Sequence, residues 1–172
     1  MTTKPYDIIA PLVDDSAYRI DQDFNAIFEA VNAISDDIVV KNGDSVLLTP
    51  GMPVYMDDAD GNALVVKRAD ADSTSTMDAI GLVVSSIAPG ELGTARTRGN
   101  LTASTTGFNV GDVLYVSTTA GALTATRPTG ANIPQRIGTV IKVGTDDGVI
   151  RVSIGSASEP VTHALLDAVI HT

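Results

Sequence analysis

The chain has 172 residues, a formal net charge of −10 and no cysteine. That length carries one ordinary domain plus an appendage, and the missing thiols exclude disulfide frameworks, zinc–thiolate sites and thiol catalysis. The acidity opposes binding to phosphate backbones and to anionic membrane surfaces, so neither nucleic acid nor membrane is an expected partner. Hydrophobic residues make up 44% of the chain and aromatics only 4%, with no Trp. A core of this composition is built from Val, Ile, Leu and Ala.

Residues 1–13 read as an extended arm. Pro5 and Pro11 oppose helix, while Ile8, Ile9 and Leu12 are apolar enough to lie on a surface, of this protein or of a partner. The N-terminus has no apolar run of signal-peptide length, and no stretch reaches the ~18 apolar residues of a membrane span. The expected place of synthesis is a cytoplasm.

Asp14, Asp15 and Ser16 are good helix N-caps. In the stretch that follows, Ile20, Phe24, Ile27, Val31, Ile34 and Ile38 are spaced 4, 3, 4, 3, 4. This is a coiled-coil seam, with Ala17, Phe24, Val31 and Ile38 at a and Val13, Ile20, Ile27 and Ile34 at d. Isoleucine at d favours three or more strands over a parallel dimer, and Phe28 beside the seam broadens the apolar face. The spacing therefore predicts a trimerising helix about 30–35 Å long. The alternative is an amphipathic helix lying on its own β-domain. On either reading, Ile8, Ile9, Leu12, Ile20, Phe24, Ile27, Phe28, Val31 and Ile34 are the expected contact residues.

After Ile38 the period changes to two. Candidate strands are 39–40, 45–48, 53–56, 63–67, 80–85, 95–98, 113–116, 137–143 and 149–154. Turn signals separate them: Asn42-Gly43-Asp44, Asp60-Gly61-Asn62, Pro89-Gly90, Gly111-Asp112, Ala120-Gly121 and Asp147-Gly148. This spacing predicts a β-sandwich or β-barrel. The tail, SASEPVTHALLDAVIHT, places Val161, Leu165, Leu166, Val169 and Ile170 on one face of a short helix.

The β-region repeats itself. Gly51 and Tyr55 match Gly111 and Tyr115, and Gly61, Leu64 and Arg68 match Gly121, Leu123 and Arg127. The Ile-Gly pair at 80–81 matches that at 137–138, and Gly93 and Arg96 match Gly148 and Arg151. The expected organisation is an arm and helix (1–40), a mainly β domain of two repeated β-units (41–155, with repeats of about 49–100 and 109–154) and a C-terminal helix (156–172). A glycine inside a strand marks a bulge or a close backbone approach.

Motifs that carry chemistry are scarce. His163 and His171 both fall in the tail, away from any nucleophile setting. Asp57-Asp58-Ala59-Asp60-Gly61-Asn62 spaces carboxylates as calcium loops do, but its glycine comes early and no Glu follows at the twelfth position. It reads as a hairpin turn, and the Asp70/Asp72 segment as a polar loop. No catalytic residue, metal or cofactor is expected, and the chain is not expected to be an enzyme.

The strings TMDAIGLVVSSIAPGELGTARTRGNL, FNVGDVLYVSTTAGALTATRPTGA and RIGTVIKVGTDDGVIRVSI resemble a module of bacteriophage virion structural proteins; the pattern spans Ala79 to Ile154, and Gly51–Arg68 extends it. That module occurs in capsid decoration (cement) proteins and in head- or tail-fibre proteins. The resemblance implies a non-enzymatic virion component, often a homotrimer, with the major capsid protein or other virion proteins as partners. The short β-region lacks a repetitive shaft. That favours a cement protein over a complete fibre, with a fibre base or an adaptor that engages host glycans as the alternative.

Overall fold

A computed structural model describes residues 36–61 and 63–156. The chain divides between Ile34 and Ser35, and all the described residues belong to the second unit. They form nine strands: β1 (Asp36–Asn42), β2 (Pro53–Asp60), β3 (Ala63–Arg68), β4 (Ala79–Val83), β5 (Leu92–Thr102), β6 (Val113–Val116), β7 (Leu123–Thr124), β8 (Arg136–Lys142) and β9 (Val149–Ser153). Their order in a single sheet is β1-β3-β2-β4-β5-β9-β8-β6-β7.

The expected fold class, a mainly β protein led by a coiled-coil helix, is corrected. The fold is β-rich, and the only helix among the described residues is the three-residue 3-10 turn Thr74–Thr76. Ile38, placed at the last a position of the seam, lies in β1 opposite Ala95 of β5. The run Ile38-Val39-Val40 is wholly β-branched, and such side chains suit a pleated surface better than a helical turn. The remainder of the expected N-terminal helix, through Ser35, and the expected tail helix from Ala157 lie outside the described residues.

The sheet closes on itself once. β1 runs parallel to β3 and antiparallel to β5, so β1, β3, β2, β4 and β5 form a five-stranded barrel. Val40, Leu48, Val54, Val66, Val83, Ile87 and Ala95 fill it. A second core gathers Leu82, Leu101, Leu114, Val116, Ile137, Val140, Ile150 and Val152 with Tyr55 and the small residues Ala69, Ala71 and Ala79. Burying each large aliphatic side chain contributes about 1.5–3 kcal/mol, so the two cores carry the fold without aromatic bulk.

The repeated segments share one pairing scheme. Pro53, Val54 and Tyr55 stand opposite Leu82, Gly81 and Ala79, with Ile80 bulged out of register. Val113, Leu114 and Tyr115 stand opposite Thr139, Gly138 and Arg136, with Ile137 in the same bulge. The next strands follow suit: Leu82 pairs with Arg96 and Val83 with Ala95, as Thr139 pairs with Arg151 and Val140 with Ile150. The glycine of each Ile-Gly pair sits where a neighbour comes close. A Cβ on Gly81 would lie 3.0 Å from the Arg96 carbonyl oxygen, and one on Gly138 would drive into the Arg151 carbonyl.

β5 belongs to both repeats. Its first half faces β1, where Ile38, Val39 and Val40 stand opposite Ala95, Thr94 and Gly93. Its second half plays the part of β1 for the other repeat. Leu101 and Thr102 stand opposite Ile150 and Val149, and the Ala103 amide donates to the Gly148 carbonyl. Accordingly Ala95 points into the first core and Leu101 into the second.

Buried polar side chains lock these crossings. Asn42 donates from Nδ2 to the carbonyls of Val46 (2.9 Å) and Ile87 (2.8 Å) and accepts the Asp44 amide. Thr105 takes the corresponding place in the second repeat, donating to the Lys142 carbonyl (2.9 Å) and accepting the Gly144 amide (3.0 Å). Gln135 joins the repeats. Its Oε1 accepts the Ala79 amide, and its Nε2 donates to the carbonyls of Ala79 and Gly155. Residues 69–71 are held to the second repeat through the backbone: Ala71 donates to Ser117, Gly121 to Ala69 and Ile133 to Ala71.

Candidate interaction surfaces

The expected contact residues Ile8, Ile9, Leu12, Ile20, Phe24, Ile27, Phe28, Val31 and Ile34 lie outside the described residues, as do His163 and His171. The acidic motifs of the β-region are placed. Asp57 and Asp58 lie in β2 just ahead of the turn to β3, and Asp60 ends the strand. Asp57 pairs with Lys67 at 2.7 Å, Asp60 pairs with Lys41, and Asp58 accepts the Ala59 amide. They are turn and strand-end acids, two with lysine partners and one with a backbone partner. No group of three or more His, Asp or Glu residues among the described residues is arranged to hold a metal ion.

Asp70 and Asp72 share the loop before the 3-10 turn. Thr76 Oγ1 donates to Asp70 Oδ1 at 2.9 Å. A hydrogen bond that the protonated Asp72 carboxyl donates to Asp70, with the Asp70 charge and a smaller desolvation behind it, holds the Asp72 carboxyl above the usual carboxylate range. At the β8–β9 turn, Lys142 lies 2.6 Å from Asp147 and holds that carboxyl below the range through a hydrogen bond and its charge.

The cations divide into two groups. Lys41, Lys67, Arg68, Arg96 and Lys142 are each ion-paired to an aspartate. Arg96 forms a bidentate fork on Asp37, with Nε–Oδ1 at 2.8 Å and Nη2–Oδ2 at 2.9 Å, and its Nη1 donates to the Asn100 carbonyl. The Arg96 hydrogen bond holds the Asp37 carboxyl below its ordinary range against a smaller cost of burial, and the guanidinium charge adds to it. By contrast, Arg98, Arg127, Arg136 and Arg151 are exposed and in no ion pair among the described residues.

Strand register puts Arg98, Arg136 and Arg151 on one face. Arg98 stands opposite Ser153, and Arg151 opposite Asn100. Directly opposed residues point to the same side of a sheet, as do residues two apart along a strand. Arg151 alternates with the buried Ile150 and Val152, so this side faces solvent. On β8, Thr139 stands opposite Arg151, and Arg136 Nη2 donates to Thr139 Oγ1 at 3.2 Å. The face is guanidinium-rich, studded with the polar Asn100, Thr139 and Ser153. The alternation was present in the sequence as Arg96-Thr97-Arg98 and Arg151-Val152-Ser153. A search for nucleophiles and metal ligands passes over it.

A second surface lies on the barrel. A cleft of about 500 Å³ is lined by Val39, Lys41, Asp60, Ala63 and Leu92, among others. Val39 is 55% exposed and Leu92 64% exposed, an unusual setting for aliphatic side chains on adjoining strands.

No protein family matches the chain, and no curated protein matches it. Among solved structures, the chain is similar to the head fibre gp8.5 N base of bacteriophage phi29. The likeness has 13% sequence identity and a TM-score of 0.44, and covers 73% of this chain and 99% of that one. A likeness of that size fixes neither fold nor function.

Proposed function

We propose that the chain is a non-enzymatic structural protein of a bacteriophage virion, a trimeric decoration protein that binds the assembled capsid shell. The observation that carries this reading is positional. The residues that make the stretch from Ala79 to Ile154 resemble the phage virion module are those that set the pairing of the β-region. Gly81 and Gly138 stand beside the two bulges, Tyr115 pairs with Arg136 at one of them, and Arg151 crosses Thr139. The resemblance is therefore carried by architecture, and the architecture offers surfaces for adhesion. A protein that binds only the assembled shell stabilises it by mass action, in proportion to the logarithm of its free concentration over its dissociation constant.

Co-sedimentation of the purified chain with empty shells tests this reading. Binding, with a rise in the temperature at which the shells dissociate, is the expected result. A chain that stays in the supernatant, with shell melting unchanged, refutes it.

A base or adaptor for a head or tail fibre, adhering to host glycans, is the second reading. The hydroxyls of Ser104, Thr106 and Thr145 favour it, since they form an exposed hydrogen-bonded chain at one loop cluster. Immunogold labelling of virions separates the two. Label on the shell supports decoration, and label at the fibre or tail supports the adaptor.

A further inference from the structure

The chain carries 21 acidic residues against 11 basic ones. Copies of so acidic a protein repel one another, and association needs a surface on which that repulsion is reversed. The face of β5, β9 and β8 is such a surface. Arg98, Arg136 and Arg151 lie on three adjacent strands without an ion pair, and Arg96 borders them. Among the described residues, the carboxylates facing this set belong to Asp37, which Arg96 holds, and Asp36, which stands opposite Arg98 without pairing to it. Four guanidiniums thus meet two carboxylates. The side chains between them, Asn100, Thr139 and Ser153, offer hydrogen bonds and no aromatic platform, a set suited to carboxylates more than to the stacking of sugar rings.

We infer that this arginine face is an interface that takes an acid-rich surface of a second copy of the chain. The contact is heterologous. A two-fold axis through the arginine face itself would set one arginine face on another and bring like charges together, whereas a head-to-tail arrangement sets it on an acidic surface of the next copy. Heterologous contacts close into rings or run on into filaments. A closed ring supplies the contact for the trimer proposed above, and it rests on that reading only for the number three.

Sedimentation velocity of the full-length chain tests the inference. Three forms are compared: the wild type, the double variant R98E/R151E and the conservative R98K/R151K. At ~50 mM salt the wild type should associate, and at ~500 mM, where the screening length is about half a nanometre or less, it should dissociate. R98E/R151E should raise the dissociation constant at least about tenfold, and R98K/R151K should retain most of the association. Both replaced side chains are exposed, so thermal melts of the monomers should coincide. A wild-type chain that stays monomeric at low salt and about 100 μM overturns the inference, as does an oligomer indifferent to both salt and R98E/R151E. A monomer that R98E/R151E releases from immobilised heparin also overturns it, and marks the face as a polyanion site. Shell co-sedimentation is scored separately, so loss of the virion reading and loss of this interface are told apart.

Discussion

Gly81 and Gly138 hold corresponding places in the two repeats, yet they should respond very differently to a single methyl group. Neither has a positive φ, so the effect of Ala is steric. At Gly81 the new Cβ would lie 3.0 Å from the Arg96 oxygen and 3.2 Å from the Ala95 Cβ, a clash relieved by a shift of a few tenths of an ångström. At Gly138 it would overlap the carbonyl of Arg151 and approach the Cα of Val152 at 3.2 Å, and both are backbone that cannot rotate away. β8 and β9 must then part at the Gly138–Val152 pair. Overpacking against rigid surroundings costs about 1–3 kcal/mol, and each ladder hydrogen bond lost adds about 0.5–1.5 kcal/mol. Gly138→Ala is therefore expected to destabilise by roughly 2–4 kcal/mol, a fall in Tm of about 5–15 °C for a chain of this size. Gly81→Ala should cost less than about 1 kcal/mol, because stiffening of the unfolded chain offsets its small clash. That unfolded-state gain applies to both variants and cancels in the comparison. Urea unfolding followed by circular dichroism, with calorimetry for Tm, measures the difference. If Gly138→Ala melts within 2 °C of the wild type, or Gly81→Ala proves the worse of the two, the close-approach argument is wrong.

Three further outcomes follow from the side chains described. Asn42→Ala leaves the carbonyls of Val46 and Ile87 and the Asp44 amide without their partner, and should cost roughly 2–4 kcal/mol in denaturant unfolding. Gln135→Leu keeps the volume but strips the hydrogen bonds to Ala79 and Gly155, and a loss of similar size, roughly 2–4 kcal/mol, is expected by the same measurement. The third outcome concerns acid. The folded Asp37 carboxyl lies below its unfolded value, so its contribution is complete above the ordinary aspartate pKa of about 3.9 and is lost as pH falls through the folded value. Asp37→Asn should thus lower Tm slightly at pH 7, as befits a half-exposed pair, and should shrink the decline in Tm on going from pH 5 to pH 2. An unchanged decline would show that the Arg96 fork contributes nothing to acid stability.

Much of the β-region was legible because strand signals are local. The turns at Gly61, Gly121 and Gly148 and the paired Ile-Gly steps stand in the sequence, and those steps lie at the bulges of β4 and β8. Closure of the barrel was not legible. It depends on β1 pairing parallel to β3, a contact between segments that no local pattern links. Asn42 illustrates the same limit: its neighbour Gly43 marks a turn, but only the assembled barrel makes the asparagine a buried peg. The heptad reading overran its evidence at Ile38, where the 3-4 spacing continues but a β-branched run has already begun. The contact residues chosen from the arm and the seam fall outside the described residues. The arginine face was missed because its members come from β5, β8 and β9 and meet only through register.

The sharing of β5 bears on how this protein fails. In two barrels joined by a linker, one can melt while the other stands. Here the eleven residues from Leu92 to Thr102 are a party wall. Withdrawing the wall to open the first compartment exposes Leu101 and its neighbours in the second, so the two should melt together. The duplication has produced a single cooperative object. Under heat or protease, a unit built this way should be lost all or nothing.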